Sequence, residues 1–283
     1  MATTWTVDGQ VSIVTGSNTG LGRATALELA RRGSHVLLAS RSAERTAPIV
    51  DEIGREVGQD RVEFLEFDLS SLAAVKEAAD SFLAGGRPLH VLVNNAGLAG
   101  RRGMTADGFE LTFGVNYLGH YLFTRLLLDR MVASAPARIV NVASSVHHRA
   151  ERIEWDRLRK PRLLPATREY AVSKLANVLF NRELAKRLAG TRVTTYAAHP
   201  GLAATDIYRV VPWPFRSLMT RSMPTSEQAA RTQVWCSAAP ELSGETGMYY
   251  ADLRRKDPSP TAMSNELGTE LWARSEEWVA DFL

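Results

Sequence analysis

The stretch Val11-Ser-Ile-Val-Thr-Gly-Ser-Asn-Thr-Gly-Leu-Gly22 decides how this chain folds. Its first five residues form a β-branched, apolar run, the composition of a strand buried on both faces. Glycines then follow at the spacing G-x-x-x-G-x-G, and Leu21, Ala24, Leu27 and Ala30 recur at helical spacing as far as Arg32. Gly33 stands where a helix C-terminal cap belongs. A strand, a glycine turn and a helix in that order can cradle an anion. Gly16 permits the tight turn, Gly20 lets the backbone approach a phosphate, and Gly22 lets helix and strand pack closely. The helix N-terminus offers free N–H groups and a positive dipole end to a dinucleotide pyrophosphate. Gly16, Ser17, Asn18, Thr19, Gly20, Leu21 and Gly22 are therefore candidate cofactor-binding residues.

Outward from this turn the same rhythm repeats. Residues 35–40, 61–68, 89–94, 137–144, 192–199 and 248–252 read as further strands, and helical patterns such as 72–83 fill the gaps. Strands that are apolar on both faces, with helices between them, predict an α/β fold with a seven-stranded parallel sheet covered on both sides. No repeat, low-complexity tract or linker divides the chain, so residues 1–283 are read as one domain. Two stretches break the rhythm, at about 147–168 and 202–225. Both are rich in Pro, Arg and aromatic residues and follow strands five and six, where ligands bind an open parallel sheet. They are candidate substrate loops, and Trp155, Trp213, Phe215, Leu218 and Met219 within them fit either an apolar substrate pocket or the packing of the loops onto the body.

Bulk composition removes several function classes. With 45% hydrophobic and 23% charged residues and a net charge of +3, the chain is ordinary for a globular protein. The one dense basic cluster, Arg149, Arg152, Arg157, Arg159, Lys160 and Arg162, reads as a solvated face rather than a nucleic-acid site. The single cysteine, Cys236, cannot form an internal disulfide, and no Cys-rich or His-x-x-x-His pattern points to a metal. Residues 1–8 are polar and lack a basic-then-apolar signal, and no apolar run reaches the ~18 residues of a membrane span. The expectation is a cytoplasmic protein without a membrane anchor.

Strand ends carry the chemistry. Strand two ends in Ser40-Arg41, where an acidic residue would select NAD; a small hydroxyl beside a guanidinium suits a 2′-phosphate and points to NADP(H) over NAD(H). Asp68-Leu69 closes strand three, and its carboxylate can accept from an adenine amino group or cap the following helix. Asn94-Asn95-Ala96-Gly97 closes strand four, with small residues that leave room for a cofactor and amides that can tie strands together. Tyr170-Ala-Val-Ser-Lys174 places a phenol and an ammonium on one helix face. A free phenol has a pKa of about 10, and a nearby ammonium lowers it toward that of a useful base. Ser144 ends strand five and can donate to a substrate oxygen, with Ser145 as its rival. Asn116 is a poor mid-helix residue and marks either a kink beside the lysine or a solvent-facing position. His147, His148 and His199 are alternative acid–base groups of lower rank.

Together these motifs resemble the short-chain dehydrogenase/reductase family over nearly the whole chain. The carriers are the 15–22 turn, Asp68-Leu69, Asn94-Asn-Ala-Gly97, Asn116, Ser144, Tyr170-x-x-x-Lys174 and His199-Pro-Gly-x-x-x-Thr205. Finer features, including Phe113-Gly-Val-Asn-Tyr-Leu-Gly-His120, are similar to the retinol dehydrogenase and protochlorophyllide reductase branch. The resemblance implies a doubly wound Rossmann fold and a catalytic tetrad of Asn116, Ser144, Tyr170 and Lys174. It makes Tyr170 the acid or base, Ser144 the holder of the carbonyl oxygen and Lys174 a ligand of the nicotinamide ribose. It gives Asn116 a proton-relaying water, and Pro200, Gly201 and Thr205 the nicotinamide carboxamide. The activity implied is interconversion of a carbonyl and an alcohol; the alternatives are reduction of an activated C=C bond and non-catalytic sensing of NADP(H). The family usually forms homodimers or homotetramers through the helices holding Asn116 and Tyr170, and a monomer remains compatible with this sequence.

Overall fold

The computed structural model describes residues 5–160, 167–201 and 224–283. The chain runs β1 (Val11–Thr15), α1 (Gly20–Arg31), β2 (His35–Ser40), α2 (Ala43–Val57), β3 (Val62–Glu66), α3 (Leu72–Ala84) and β4 (Val91–Asn94). It continues through a short α4 (Leu111–Phe113), a π-helical segment (Gly114–Leu118), α5 (Gly119–Ala133), β5 (Ala137–Val142), α6 (Thr167–Arg187) and β6 (Val193–His199). The last elements are α7 (Ser226–Ala238), β7 (Met248–Ala251), β8 (Arg254–Lys256) and α8 (Asn265–Val279). The strands form one sheet in the order β3-β2-β1-β4-β5-β6-β7-β8. From β1 the chain winds outward to β3 and then returns to lay β4 against the other side of β1. That reversal is the switch point where a doubly wound sheet opens a crevice, and the glycine turn sits in it.

Alternation along each strand feeds two separate cores. Ile13, Leu37, Leu92, Ile139 and Ala197 point to the layer built with α3, α5 and α6. Their neighbours Val14, Val36, Leu38, Val91, Val93, Val140 and Tyr196 point to the layer that includes α1 and α7 residues. Both faces of the sheet are thus dry, which is why the strands read as continuous apolar runs.

Seven parallel strands were expected, and the sheet has eight. β8 pairs antiparallel with β7 through a turn in which Asp252 and Leu253 both have left-handed φ, 54° and 57°. This is the geometry a two-residue hairpin of the I′ type requires. β8 is Arg-Arg-Lys at the sheet edge, a basic run with no apolar alternation to betray it and one that keeps the edge from pairing further. Strand seven accordingly ends at Ala251, one residue before the expected boundary.

Helix α8 packs across α5 and α6. Trp272 stacks on Phe180 at 5.9 Å and meets Tyr121 edge-on at 5.2 Å, while Tyr117 Oη and Ser275 Oγ are 2.7 Å apart. Glu276 takes the Arg125 guanidinium at 2.6 Å and also bonds Tyr121. The α5 and α6 surface is therefore covered by the chain's own last helix at these positions.

Candidate active site

The turn after β1 is shaped by the lack of side chains. Gly16 and Gly20 have left-handed φ of +66° and +55°. A Cβ on Gly16 would lie 2.8 Å from Ala96 Cα, and one on Gly22 would lie 2.3 Å from the Gly16 carbonyl oxygen. Both would overlap backbone. A Cβ on Gly20 meets nothing within 4 Å, so the backbone is open there. Thr19 stands at the N-cap of α1 with extended backbone, and the first helical turn holds no acidic side chain to compete for its N–H groups. Ser17 Oγ is buried and has no hydrogen-bond partner among the described residues. A buried hydroxyl left without a partner, a glycine cradle and an uncontested helix N-terminus fit a dinucleotide pyrophosphate. Asn18 and Leu21 are half-buried along the same turn.

The end of β4 locks this turn. Asn95 and Ala96 both donate their N–H groups to Thr15 Oγ1 at 2.9 Å, and Asn95 Nδ2 donates to the Thr15 carbonyl at 2.8 Å. Gln233 on α7 reaches Asn95 Oδ1 at 3.2 Å and also bonds Thr25. Asn94 does the strand-tying expected of it, donating to Asn141 Oδ1 of β5 and Thr124 Oγ1 of α5, both at 2.9 Å.

At the end of β2 the hydroxyl of Ser40 is buried and 2.5 Å from Thr46 Oγ1, which itself donates to the Ser42 carbonyl. The Ser40 proton is thus directed into α2, whereas Arg41 is exposed. Asp68 Oδ1 accepts from Ser70 N at 2.9 Å and Ser70 Oγ at 2.8 Å. It shapes the turn before α3, whose N-cap is Ser71; Leu69 beside it is buried against Gly119.

The four expected tetrad residues come from three different stretches. Asn116 lies in the π-helical segment and is fully buried. The kinked position is therefore the correct alternative and the solvent-facing one is wrong. Its Oδ1 accepts from Leu98 N at 2.8 Å, and its Nδ2 donates to the Leu98 carbonyl at 2.9 Å and to Ser173 Oγ at 3.0 Å. Gly97 makes room for this. A Cβ there would be 3.3 Å from Asn116 Oδ1 and 3.8 Å from Lys174 Nζ, so one glycine marks where the two side chains converge. Lys174 is buried and donates to the Val142 carbonyl at 2.7 Å. Burial disfavours its ammonium and lowers its pKa to about 8. Nζ stands 5.8 Å from the centroid of the half-buried Tyr170 ring. Ser144 is buried at the end of β5, and its Oγ accepts from Val146 N at 3.3 Å. Ser145 is exposed.

The three histidines separate. His147 is fully buried. Its Nε2 accepts from Ser259 N at 3.0 Å, so Nδ1 carries the hydrogen and gives it to the Ser144 carbonyl at 2.6 Å. Burial pushes its pKa down to about 4, which keeps it neutral. His148 is exposed, and His199 is half-buried with a pKa lowered by burial. Pro200 and Gly201 follow β6, Gly201 with φ +80°. Thr205 lies outside the described residues, as do Trp213, Phe215, Leu218, Met219 and Arg162. Trp155 takes the packing role, 6.2 Å from Trp278 and under Arg274. In the basic cluster, Glu154 binds Arg152 and Arg157, while Arg159 lies 3.9 Å over the Phe109 ring.

Sequence reasoning missed Ser173, Gln233 and the pairing role of Leu98. Ser173 alone left a signal, since it stands next to Lys174 within the Tyr170-x-x-x-Lys174 motif.

Residues 10–212 match the family model described as short chain dehydrogenase. The chain belongs to the short-chain dehydrogenase family. It is 41% identical to retinol dehydrogenase 12 of Homo sapiens, over 93% of this chain and 84% of that protein. It is 40% identical to retinol dehydrogenase 13 of Homo sapiens, over 97% and 86%. A crystal structure of an uncharacterized protein from Mycobacterium paratuberculosis superposes with a TM-score of 0.77 and 30% identity, covering 99% of this chain and 96% of that one. The chain is thus a short-chain dehydrogenase of the retinol dehydrogenase-like branch, an oxidoreductase that works with a nicotinamide cofactor on a carbonyl or alcohol carbon. Among the described residues no helix is long and apolar enough to cross a membrane.

Proposed function

We propose that this short-chain dehydrogenase is an NADP(H)-dependent enzyme that interconverts a carbonyl and an alcohol on a fairly apolar small molecule, with Tyr170 as the proton donor and acceptor. The observation that carries the reading is the buried Lys174 ammonium 5.8 Å from the Tyr170 ring, hydrogen-bonded to the Val142 backbone carbonyl and with no carboxylate ion pair among the described residues. A cation held in a dry site without a counter-charge stabilises a phenolate strongly. Tyr170 would give its proton to the substrate oxygen during reduction and take it back during oxidation. Ser144 would donate a hydrogen bond to the same oxygen as charge develops there. Asn116 would position a water that relays protons to and from Lys174. The residues at 16–22, Asp68, Leu69, Asn95–Gly97, Pro200, Gly201 and Thr205 would hold the cofactor, whose nicotinamide supplies or takes the hydride.

Arg41 supports the choice of NADP(H): it is an exposed, forked cation at the end of β2, where no acid stands. With the Ser40 hydroxyl directed to Thr46, Arg41 is the side chain left to meet a 2′-phosphate. The names of the relatives make retinol one member of the apolar substrate class. A cytoplasmic location belongs to the same proposal, and cell fractionation tests it.

The deciding experiment incubates the protein with NADPH or NADP⁺ and a panel of ketones, aldehydes, enones and apolar alcohols, retinol included, with Tyr170→Phe as control. A product shifted by two mass units and absent from the variant supports the reading, and its structure separates C=O from C=C reduction. NADPH binding without turnover on any member would favour a sensing protein. The double change Ser40→Asp, Arg41→Ala should invert the preference for NADPH over NADH, and unchanged affinities would defeat the cofactor assignment.

A further inference from the structure

Behind the tetrad lies a buried histidine that the mechanism does not use. His120 is 3% exposed, on α5, one turn past Asn116. Its Nε2 lies 2.8 Å from Thr15 Oγ1 and its Nδ1 lies 3.2 Å from the Asn116 carbonyl oxygen. The hydrogens on this path can be assigned from the donors around it. Thr15 Oγ1 already accepts the N–H groups of Asn95 and Ala96. A hydroxyl that accepts two donors has its own hydrogen to give. The choices are Val93 O at 3.4 Å and His120 Nε2 at 2.8 Å, and the shorter bond takes it. Nε2 is therefore bare, and Nδ1 carries the hydrogen that goes to Asn116. Burial drives the pKa of His120 down to about 3, so the ring stays neutral at neutral pH and its hydrogen bonds set the tautomer.

We propose that His120 is a positioning residue that fixes, through one imidazole, both the turn that receives the cofactor and the backbone of Asn116, whose side chain converges with Lys174 at Gly97. The inference rests on the NADP(H) reading of the site. Each arm has a distinct task. Thr15 is the last residue of β1, and its hydroxyl gathers Asn95 and Ala96 against Gly16, where there is no room for a Cβ. The Thr15 arm sets the shape of the cradle. Asn116 lies in a π-helical segment, where the regular hydrogen-bond ladder is broken and a carbonyl can turn away from the helix axis. The Asn116 arm holds that carbonyl in one direction.

Two conservative substitutions cut one arm each. Asparagine puts an amide nitrogen where Nδ1 was, and glutamine puts an amide oxygen where Nε2 was. His120→Gln should bind NADPH within about twofold of the parent, read by fluorescence titration, while kcat falls about tenfold for one lost hydrogen bond. His120→Asn should show the reverse, with NADPH binding about tenfold weaker and kcat at saturating NADPH within about twofold. Thr15→Val should weaken NADPH binding more than His120→Asn does, because it also leaves the Asn95 and Ala96 N–H groups without their acceptor, and adding His120→Asn to it should weaken binding no further, because the bond between the two is already gone. A core histidine with no positioning role would give variants that lose kcat, NADPH affinity and melting temperature in parallel, or that change none of them. Either pattern overturns the proposal, as does additivity of Thr15→Val with His120→Asn. A parent protein that binds no NADPH overturns the cofactor reading and this inference with it, whereas normal parental binding with unsplit variants overturns this inference alone.

Discussion

The glycine turn after β1 and the cluster around Lys174 sit against one another but are built on opposite terms. The turn is defined by atoms that must be missing. Gly16 fits against Ala96, and Gly22 against the Gly16 carbonyl, only because neither has a Cβ. The cluster is defined by polar atoms that must be present and paired. Asn116 spends its amide on Leu98 and Ser173, and Lys174 spends a hydrogen on Val142. A close approach of backbones tolerates one residue type, whereas a buried polar group tolerates any partner the fold supplies. The first region should therefore fail on addition and the second on removal.

The largest effect should follow from removing one oxygen in the second region. Tyr170→Phe is expected to cut turnover by roughly 10²–10⁴-fold while leaving NADPH binding within a factor of two. Steady-state kinetics beside a binding titration measures both, and a variant that kept a tenth of parental turnover would show that the proton comes from elsewhere. Next in size is the brace behind that region. Trp272→Ala removes a ring packed between Phe180, Tyr121 and the Arg187 guanidinium, and should cost about 3–5 kcal/mol of stability by denaturant titration. If it cost less than 1 kcal/mol, α8 would not be holding α5 and α6.

Adding one methyl to the first region should do less to stability and more to binding. Gly22→Ala places a Cβ 2.3 Å from the Gly16 oxygen, so the turn must shift. The expected cost is about 1–3 kcal/mol of stability, with NADPH affinity falling at least tenfold. The same change at Gly20, where a Cβ has open space but φ is left-handed, should strain the backbone by about 1 kcal/mol and disturb the fold of the turn less. Equal losses at both positions would blur the distinction between a crowded glycine and an open one.

The smallest expected effect is on acid stability. His120 and His147 have folded-state pKa values lowered to about 3 and about 4, below the usual 6.5. As pH falls below 6.5 the unfolded chain takes up protons that the folded chain refuses, so stability declines through that window. His147→Asn should flatten the fall of melting temperature between pH 6.5 and 5, above the range in which Glu63 and Glu276, whose pKa values are lowered by Arg87 and Arg125, begin to contribute. An unchanged slope would mean that the imidazole of His147 is reached by water.

These regions were also unequally legible before the fold was known. The turn, the seven parallel strands and the sheet covered on both faces follow from glycine spacing and apolar runs. The phenol and ammonium follow from a four-residue spacing on one helix. β8 escaped because three basic residues at an edge carry no alternation. The bond between Ser40 and Thr46 was not legible either, because it depends on α2 bringing Thr46 back over the end of β2. The role of α8 was hidden in the same way: Trp272 and Ser275 acquire meaning only once α5 and α6 lie beneath them.

The position of α8 also orders the birth of the protein. A chain made from its N-terminus has the whole glycine cradle, through Gly97, on the outside of the ribosome long before residues 265–279 exist. During that interval Tyr121 and Phe180 lack the Trp272 cover, and Tyr117 lacks its Ser275 partner. The cover over these rings is thus made late, and α5 and α6 must wait for α8 before this face is closed.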